Sequence, residues 1–236
     1  MTDSVARVLD DLVMANRILA VENVLDGFGH VSARHPDKPD RFLITTVRAA
    51  ELVRADDIVE LDLDGRPAEG ETRRVFAERI LHAAVYRLRP DVHAVCHHHA
   101  PPVLPFCVTG EPLVPVVHLG ATMGSTVPFW DSRDEFGDTD LLIHTEEQGL
   151  AMARALGPHW TVLLRNHGAT VAGRSIRECV FRAIYGAHNA TVQWQARQLG
   201  AVRPLTPGEA ERAGAFNLTP IALDRSWERW CSRASA

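Results

Sequence analysis

The sequence predicts one α/β domain, a central mixed sheet with helices on both faces. Apolar positions recur at helical spacing in long segments, notably 4–25, 74–88 and 175–199, and short apolar runs bounded by Gly, Pro, Asp or Asn lie between them. No repeat or low-complexity linker divides the chain. At 236 residues, 46% hydrophobic and 23% charged, it can bury one sizeable core.

The elements follow in order. The first helix spans 4–25, with Val5, Val8, Leu9, Leu12, Val13, Ile18 and Leu19 at helical spacing, Asp3 or Ser4 as its cap and Asp26-Gly27 as its stop. GHVSARH (29–35) and RFLIT (41–45) read as strands joined by a proline-bearing turn. A short helix over 49–54 precedes IVELDLDGRPA (58–68), which reads as strand, Asp-Gly turn and strand. Residues 74–88 form a helix on which Glu78, His82 and Tyr86 share a face at i, i+4 spacing, and Arg89-Pro90 ends it. AVCHHH (94–99) is a strand, and Pro101-Pro102 open the next helix. PLVPVV (112–117) and TVPFW (126–130) read as short strands, 139–156 as a helix, TVLLRNHGATVAG (161–173) as a hairpin and 175–199 as a long helix. The domain takes in residues 1–236, with 201–236 as a partly helical tail that carries Trp227 and Trp230.

Composition narrows the function classes. A net charge of -5 gives no reason to expect nucleic acid or an anionic membrane as partner. The N-terminal residues lack the basic start and apolar run of a secretory signal, and no apolar stretch reaches the ~20 residues of a membrane helix. Cys96, Cys107, Cys179 and Cys231 are scattered among apolar neighbours, so free thiols in a reducing cytoplasm are expected.

The chemistry concentrates around the histidine run. Alternation along a strand puts His97 and His99 on one face and His98 on the other, so the unit is His-x-His. Two imidazoles at a strand end make two thirds of a facial metal site. His167, at a strand break followed by glycine, could supply the third, and Glu78 would add a carboxylate. His82 is expected to be structural and His98 to face core or interface. His35, His93, His144, His159 and His188 carry no motif and are expected on the surface or on helix faces.

The order Glu78, His97, His99, His167 resembles the class II aldolase/adducin family. So do GHVSAR (29–34), FLIT (42–45), DIVELDLDG (57–65), RPDVHAV (89–95) and NHGATVAG (166–173), and the resemblance spans about residues 5–200. It implies a three-layer α/β/α fold with a largely antiparallel sheet. It also implies that Glu78, His97, His99 and His167 hold one divalent metal per subunit. Zinc is usual in the family, and manganese or cobalt would suit the same ligands. Glu78 would double as acid/base and His118 as proton donor or substrate contact. A homotetramer with sites at subunit contacts is implied; whether the tail covers a neighbour's site is left open.

Departures from the family's sugar-phosphate aldolases point to a different substrate. Where those enzymes hold phosphate with Gly-Asn, a Thr-x-x-Gly-like loop and a Ser-Ser pair, this chain has Gly29-His30, Thr45-Thr46-Val47-Arg48 and Phe76-Ala77. Small hydroxyls and close backbone amides are replaced by an imidazole, a guanidinium and an apolar ring. Arg48 suits a carboxylate held in a fork, Phe76 an aromatic wall, and His30 completes the substrate-binding set. This pattern resembles the family's decarboxylase branch. The expected function is metal-dependent decarboxylation of a hydroxylated aromatic or pyridine-type carboxylic acid through a metal-stabilised enolate. An aldolase acting on an unphosphorylated hydroxy- or oxo-acid and a non-catalytic adducin-like binding module are the alternatives.

Overall fold

The computed structural model describes residues 2–235. Helix α1 (Asp3–Val21) is capped by Thr2, whose side chain accepts the Val5 amide; the expected caps Asp3 and Ser4 lie one turn-position further in. The helix stops before Asn23, which takes a positive φ of 57°, and Val24 and Leu25 then fold back into the core.

Strands β1 (His30–Arg34), β2 (Arg41–Thr45) and β3 (Ile58–Asp62) form an antiparallel meander. After them come α2 (Arg79–Leu88), β4 (Ala94–His98), α3 (Leu104–Thr109), β5 (Phe129–Trp130), α4 (Arg133–Phe136) and α5 (Glu146–Leu156). The hairpin of β6 (Thr161–Leu164) and β7 (Gly168–Gly173) leads into α6 (Ile176–Leu199), α7 (Pro207–Asn217) and α8 (Pro220–Ala234). The seven strands form one sheet in the order β3-β2-β1-β4-β7-β6-β5, antiparallel at every pairing except β5 with β6.

Alternation along the strands splits the core in two. Val31, Ala33, Ala94, Cys96, Ala169 and Val171 face α1 and α6, with α8 packed behind. Phe42, Ile44, Val95, Val162, Leu164 and Ala172 face α2 and α5. The result is the expected three-layer α/β/α arrangement.

Several elements differ from the expectation for identifiable reasons. The helix expected from 74 begins at Arg79, so Glu78 is its N-cap residue rather than part of its face. The helix expected from 139 begins at Glu146, where Thr145 and Gln148 form a reciprocal capping box. Pro101-Pro102 lie in a turn, and it is Pro105 that occupies the first turn of α3. Residues 50–57 make two 3-10 turns, and the second strand expected after Gly65 shrinks to one bridge between Leu61 and Pro67.

PLVPVV is not a strand at all. Asn189 and Gln193 of α6 take the hydrogen bonds that a neighbouring strand would. The Val114 and Val116 amides donate to Gln193 Oε1 (3.0 Å) and Asn189 Oδ1 (2.9 Å), and the Pro112 and Val114 carbonyls accept from Gln193 Nε2 and Asn189 Nδ2 at 2.8 Å each. Two polar side chains buried in a helix thus satisfy a backbone that has no sheet partner. The tail is mostly helix. Trp227 and Trp230 pack inside their own chain, Trp230 edge-on to Phe181 at 5.9 Å. His35, expected on the surface, is buried, and its Nδ1 accepts the Asp37 and Lys38 amides.

Candidate metal centre and active site

The antiparallel register of β1, β4 and β7 sets the site. His30 stands opposite His97, and His97 opposite Thr170, so these three share the α2 side of the sheet. His99 follows His97 two residues on, just beyond the strand. His167 sits in the tight turn between β6 and β7, after Asn166 at a positive φ of 53°. Glu78 enters from the opposite layer at the head of α2. One ligand atom from each of Glu78, His97, His99 and His167 lies within 4.8 Å of the others.

The polarity of these groups suits a cation. His97 Nδ1 lies 3.4 Å from Thr170 Oγ1, and His99 Nδ1 lies 3.6 Å from an Asp26 carboxylate oxygen. With the ring protons directed outward to those partners, both Nε2 atoms present lone pairs inward, only 3.1 Å apart. Glu78 Oε2 adds negative charge 3.5 Å from His97 Nε2 and 3.7 Å from His167 Nε2. Two imidazole lone pairs and the Glu78 carboxyl converge beside His167, an arrangement that a positive ion relieves. The side chains therefore fit a divalent metal held by three imidazoles and a carboxylate.

Burial tunes the same groups. It holds His97 neutral and pushes His167 down to about 4, with the neighbouring imidazoles adding to the effect. Burial also raises the Glu78 carboxyl to about 7; the Ile143 amide, donating to its Oε1 at 3.1 Å, opposes that shift, and Asp140 adds to it. Neutral imidazoles are the form that binds metal. A carboxyl poised near neutrality can both hold and give up a proton.

Asp26 is a site residue that the sequence offered only as a helix stop. Its Oδ1 accepts the Phe28 and Gly29 amides at 2.9 and 3.0 Å and faces His99. Partial burial opposes its charge, but those two amides and His99 outweigh it and hold the carboxyl below its ordinary range. The Asp-Gly-x-Gly spacing before β1 was the available signal.

A cavity of about 270 Å³ opens beside the donors, lined by Phe28, His30, Phe76, Ala77, Glu78, His99, Leu142 and His167. His30 and Phe76 are thus brought to the site, their rings 4.6 Å apart. Arg48 is not: its guanidinium pairs with Asp57 at 3.1 Å and donates to the Leu52 carbonyl at 2.7 Å. His118 is not either. It lies exposed against α7, with Asn217 3.3 Å from its Nδ1, and borders a separate cavity of about 430 Å³ with Arg212 and Phe216. His98 faces the α1 side, as alternation required, and its Nδ1 accepts the Ala100 amide at 3.2 Å. His82 is fully buried in a hydrogen-bonded chain with His30, Ser32 and Tyr86.

Comparison with known proteins agrees with this geometry. "Decarboxylase tropJ" of Talaromyces stipitatus is 33% identical over 235 residues, covering 90% of this chain and 88% of that one. A 3,4-dihydroxyphthalate decarboxylase of Arthrobacter keyseri is 29% identical, covering 95% and 93%. Among solved structures, L-fuculose 1-phosphate aldolase from Glaciozyma antarctica superposes with a TM-score of 0.80 at 24% identity, over 98% of this chain and 89% of that one, a likeness of fold. Residues 10–194 match the model of the "Class II Aldolase and Adducin N-terminal domain". With the family model matching residues 10–194 and a relative 33% identical over 90% of the chain, the chain belongs to the class II aldolase and adducin family.

Proposed function

We propose that this protein is a metal-dependent decarboxylase of a hydroxylated aromatic or heteroaromatic carboxylic acid. The observation that carries the reading is the lining of the cleft. Beside the four donors stand Phe28, Phe76 and Leu142, with no serine, threonine or guanidinium to hold a phosphate. Similarity to two decarboxylases, one named for a dihydroxylated aromatic dicarboxylate, supports the same substrate class.

A divalent cation held by Glu78, His97, His99 and His167, whether zinc, manganese or cobalt, would supply Lewis-acid stabilisation of negative charge on a substrate oxygen. The chain's own residues account for the rest. Phe76 and Phe28 wall the cleft against water and offer flat apolar surface to a ring. His30 presents a neutral imidazole to a substrate oxygen. The substrate's hydroxyl, as its oxyanion, pushes electrons into the ring as the carbon that bears the carboxyl group takes a proton; when the bond from that carbon to the carboxyl carbon then breaks, carbon dioxide leaves and the electron pair returns through the ring to the oxygen. Glu78 supplies that proton.

His118 is exposed and borders a cavity other than its own chain's cleft, which suits delivery to a neighbour's cleft. We therefore read the working form as a homotetramer with sites at subunit contacts and His118 as a proton donor or substrate contact supplied in trans. No described helix is long and apolar enough to cross a membrane, and three of the four cysteines are buried free thiols, so a cytoplasmic location is part of the same proposal.

The test offers zinc- or manganese-loaded protein 3,4-dihydroxyphthalate and, separately, L-fuculose 1-phosphate, following carbon dioxide and aldehyde. Metal-dependent carbon dioxide release from the first supports the reading. Aldehyde without carbon dioxide would move the protein to the aldolases. A chain that binds no metal and releases neither product would be a binding module.

A further inference from the structure

Behind the cleft runs a chain of buried polar side chains that ends on His30. His30 Nδ1 lies 2.7 Å from His82 Nε2, His82 Nδ1 lies 2.7 Å from Ser32 Oγ, and Ser32 Oγ lies 2.8 Å from the Tyr86 hydroxyl. All four residues are at most 1% exposed. We propose that Tyr86, Ser32 and His82 fix His30 as a neutral imidazole with its proton on Nε2, so that His30 is a hydrogen-bond donor to an anionic substrate oxygen and not a base.

The direction follows from counting protons. The Tyr86 hydroxyl has one proton to place, the residue is only 1% exposed, and Ser32 Oγ is its hydrogen-bonding side chain. If Tyr86 donates to Ser32, Ser32 donates its own proton to His82 Nδ1. His82 then carries its proton on Nε2 and gives it to His30 Nδ1. The single proton of neutral His30 is left on Nε2. Run the other way, every bond reverses and the Tyr86 proton points into the apolar core, where Phe42 packs 5.3 Å away. An unplaced buried donor costs about 1–3 kcal/mol, which decides the direction.

The free end of the chain faces the cleft. His30 lines it, and His30 Nε2 makes no hydrogen bond within the chain, yet it is not among the fully buried unpartnered side-chain atoms of the described residues. An exposed N–H beside a cluster of acceptors is suited to a carboxylate or phenolate oxygen. This also explains how the cleft recognises an acid although Arg48 is engaged elsewhere. Ser32, His82 and Tyr86 are positioning residues, since none of them lines the cleft. The inference rests on the proposed reading of the cleft as a carboxylate site, but its tests do not depend on turnover.

Neutron diffraction from crystals of the zinc-loaded protein exchanged into deuterated water reads the protons directly. The expected map has deuterons on His30 Nε2 and His82 Nε2. A deuteron on His30 Nδ1 would overturn the proposal. Binding gives a second reading, with phthalate as a non-reacting dicarboxylate probe titrated into the same zinc-loaded protein by calorimetry. His82→Leu should weaken phthalate about tenfold, the scale of one lost charge-assisted hydrogen bond, while His82→Gln, whose amide N–H can replace the imidazole donor, restores most of it. Equal affinity in wild type and His82→Leu would overturn the positioning role. Deuterons in the expected places on a protein that releases no carbon dioxide would keep this inference and remove the proposed reaction.

Discussion

Replacing Gly168 with alanine tests how the β6–β7 turn holds the metal ligands. A Cβ at Gly168 would fall inside normal contact with the His98 carbonyl oxygen and 2.9 Å from His99 Cδ2. The backbone of β4 and the His99 ring must both give way. Overpacking of this kind costs about 1–3 kcal/mol. For a chain of this size that corresponds to a fall in Tm of roughly 2–12 °C. Because the displaced group is a ligand, zinc affinity should fall as well, by about 10- to 100-fold. Gly173 at the other end of β7 is the control: a Cβ there would lie 2.6 Å from the Cys179 amide nitrogen and 2.8 Å from its Cα, away from the donors. Gly173→Ala should lose stability and keep zinc. The assay is thermal unfolding of the metal-free proteins together with zinc affinity by chelator competition. A destabilised Gly168→Ala protein that binds zinc as wild type does would refute the claim that this turn sets the position of His99.

Three further outcomes follow. Asp26→Ala should weaken zinc by about 10- to 100-fold in the same competition assay, because it removes the carboxylate facing His99 Nδ1 and the cap on the Phe28 and Gly29 amides. Glu78→Gln should fold and retain metal, less tightly, while carbon dioxide release falls by at least ~100-fold, the scale of a lost general acid. Asn189→Ala should leave the Val116 amide and Val114 carbonyl without their partner, lowering stability by about 1–3 kcal/mol and speeding hydrogen exchange at Val116.

What the sequence made legible is what local pattern encodes. Strand alternation alone separates His97 and His99 from His98, and the register of β4 against β1 and β7 bears it out. Helices and strands with clear periodicity, such as α6 and β2, stand close to where pattern puts them. What local pattern does not encode is tertiary context. PLVPVV has the composition of a strand, but Asn189 and Gln193, more than seventy residues on, take its hydrogen bonds. Arg48 looks like a free guanidinium until Asp57 is folded against it. Glu78 seemed to share a helix face with His82 and Tyr86. The helix starts one residue later, which leaves Glu78 to the metal site and the other two to the His30 chain. His118 belongs to the surface beside α7, a position that only the packing of the tail reveals.

The account depends above all on four side chains converging on one ion, with the middle histidine of the run excluded. Elemental analysis of zinc-loaded, desalted protein measures this directly across wild type and the His97→Ala, His99→Ala and His98→Ala variants. The account predicts one zinc per chain in wild type and in His98→Ala, and loss of most of it in His97→Ala and His99→Ala. A His98→Ala protein that loses its zinc while His97→Ala retains it, or a wild-type chain that holds none, would contradict it.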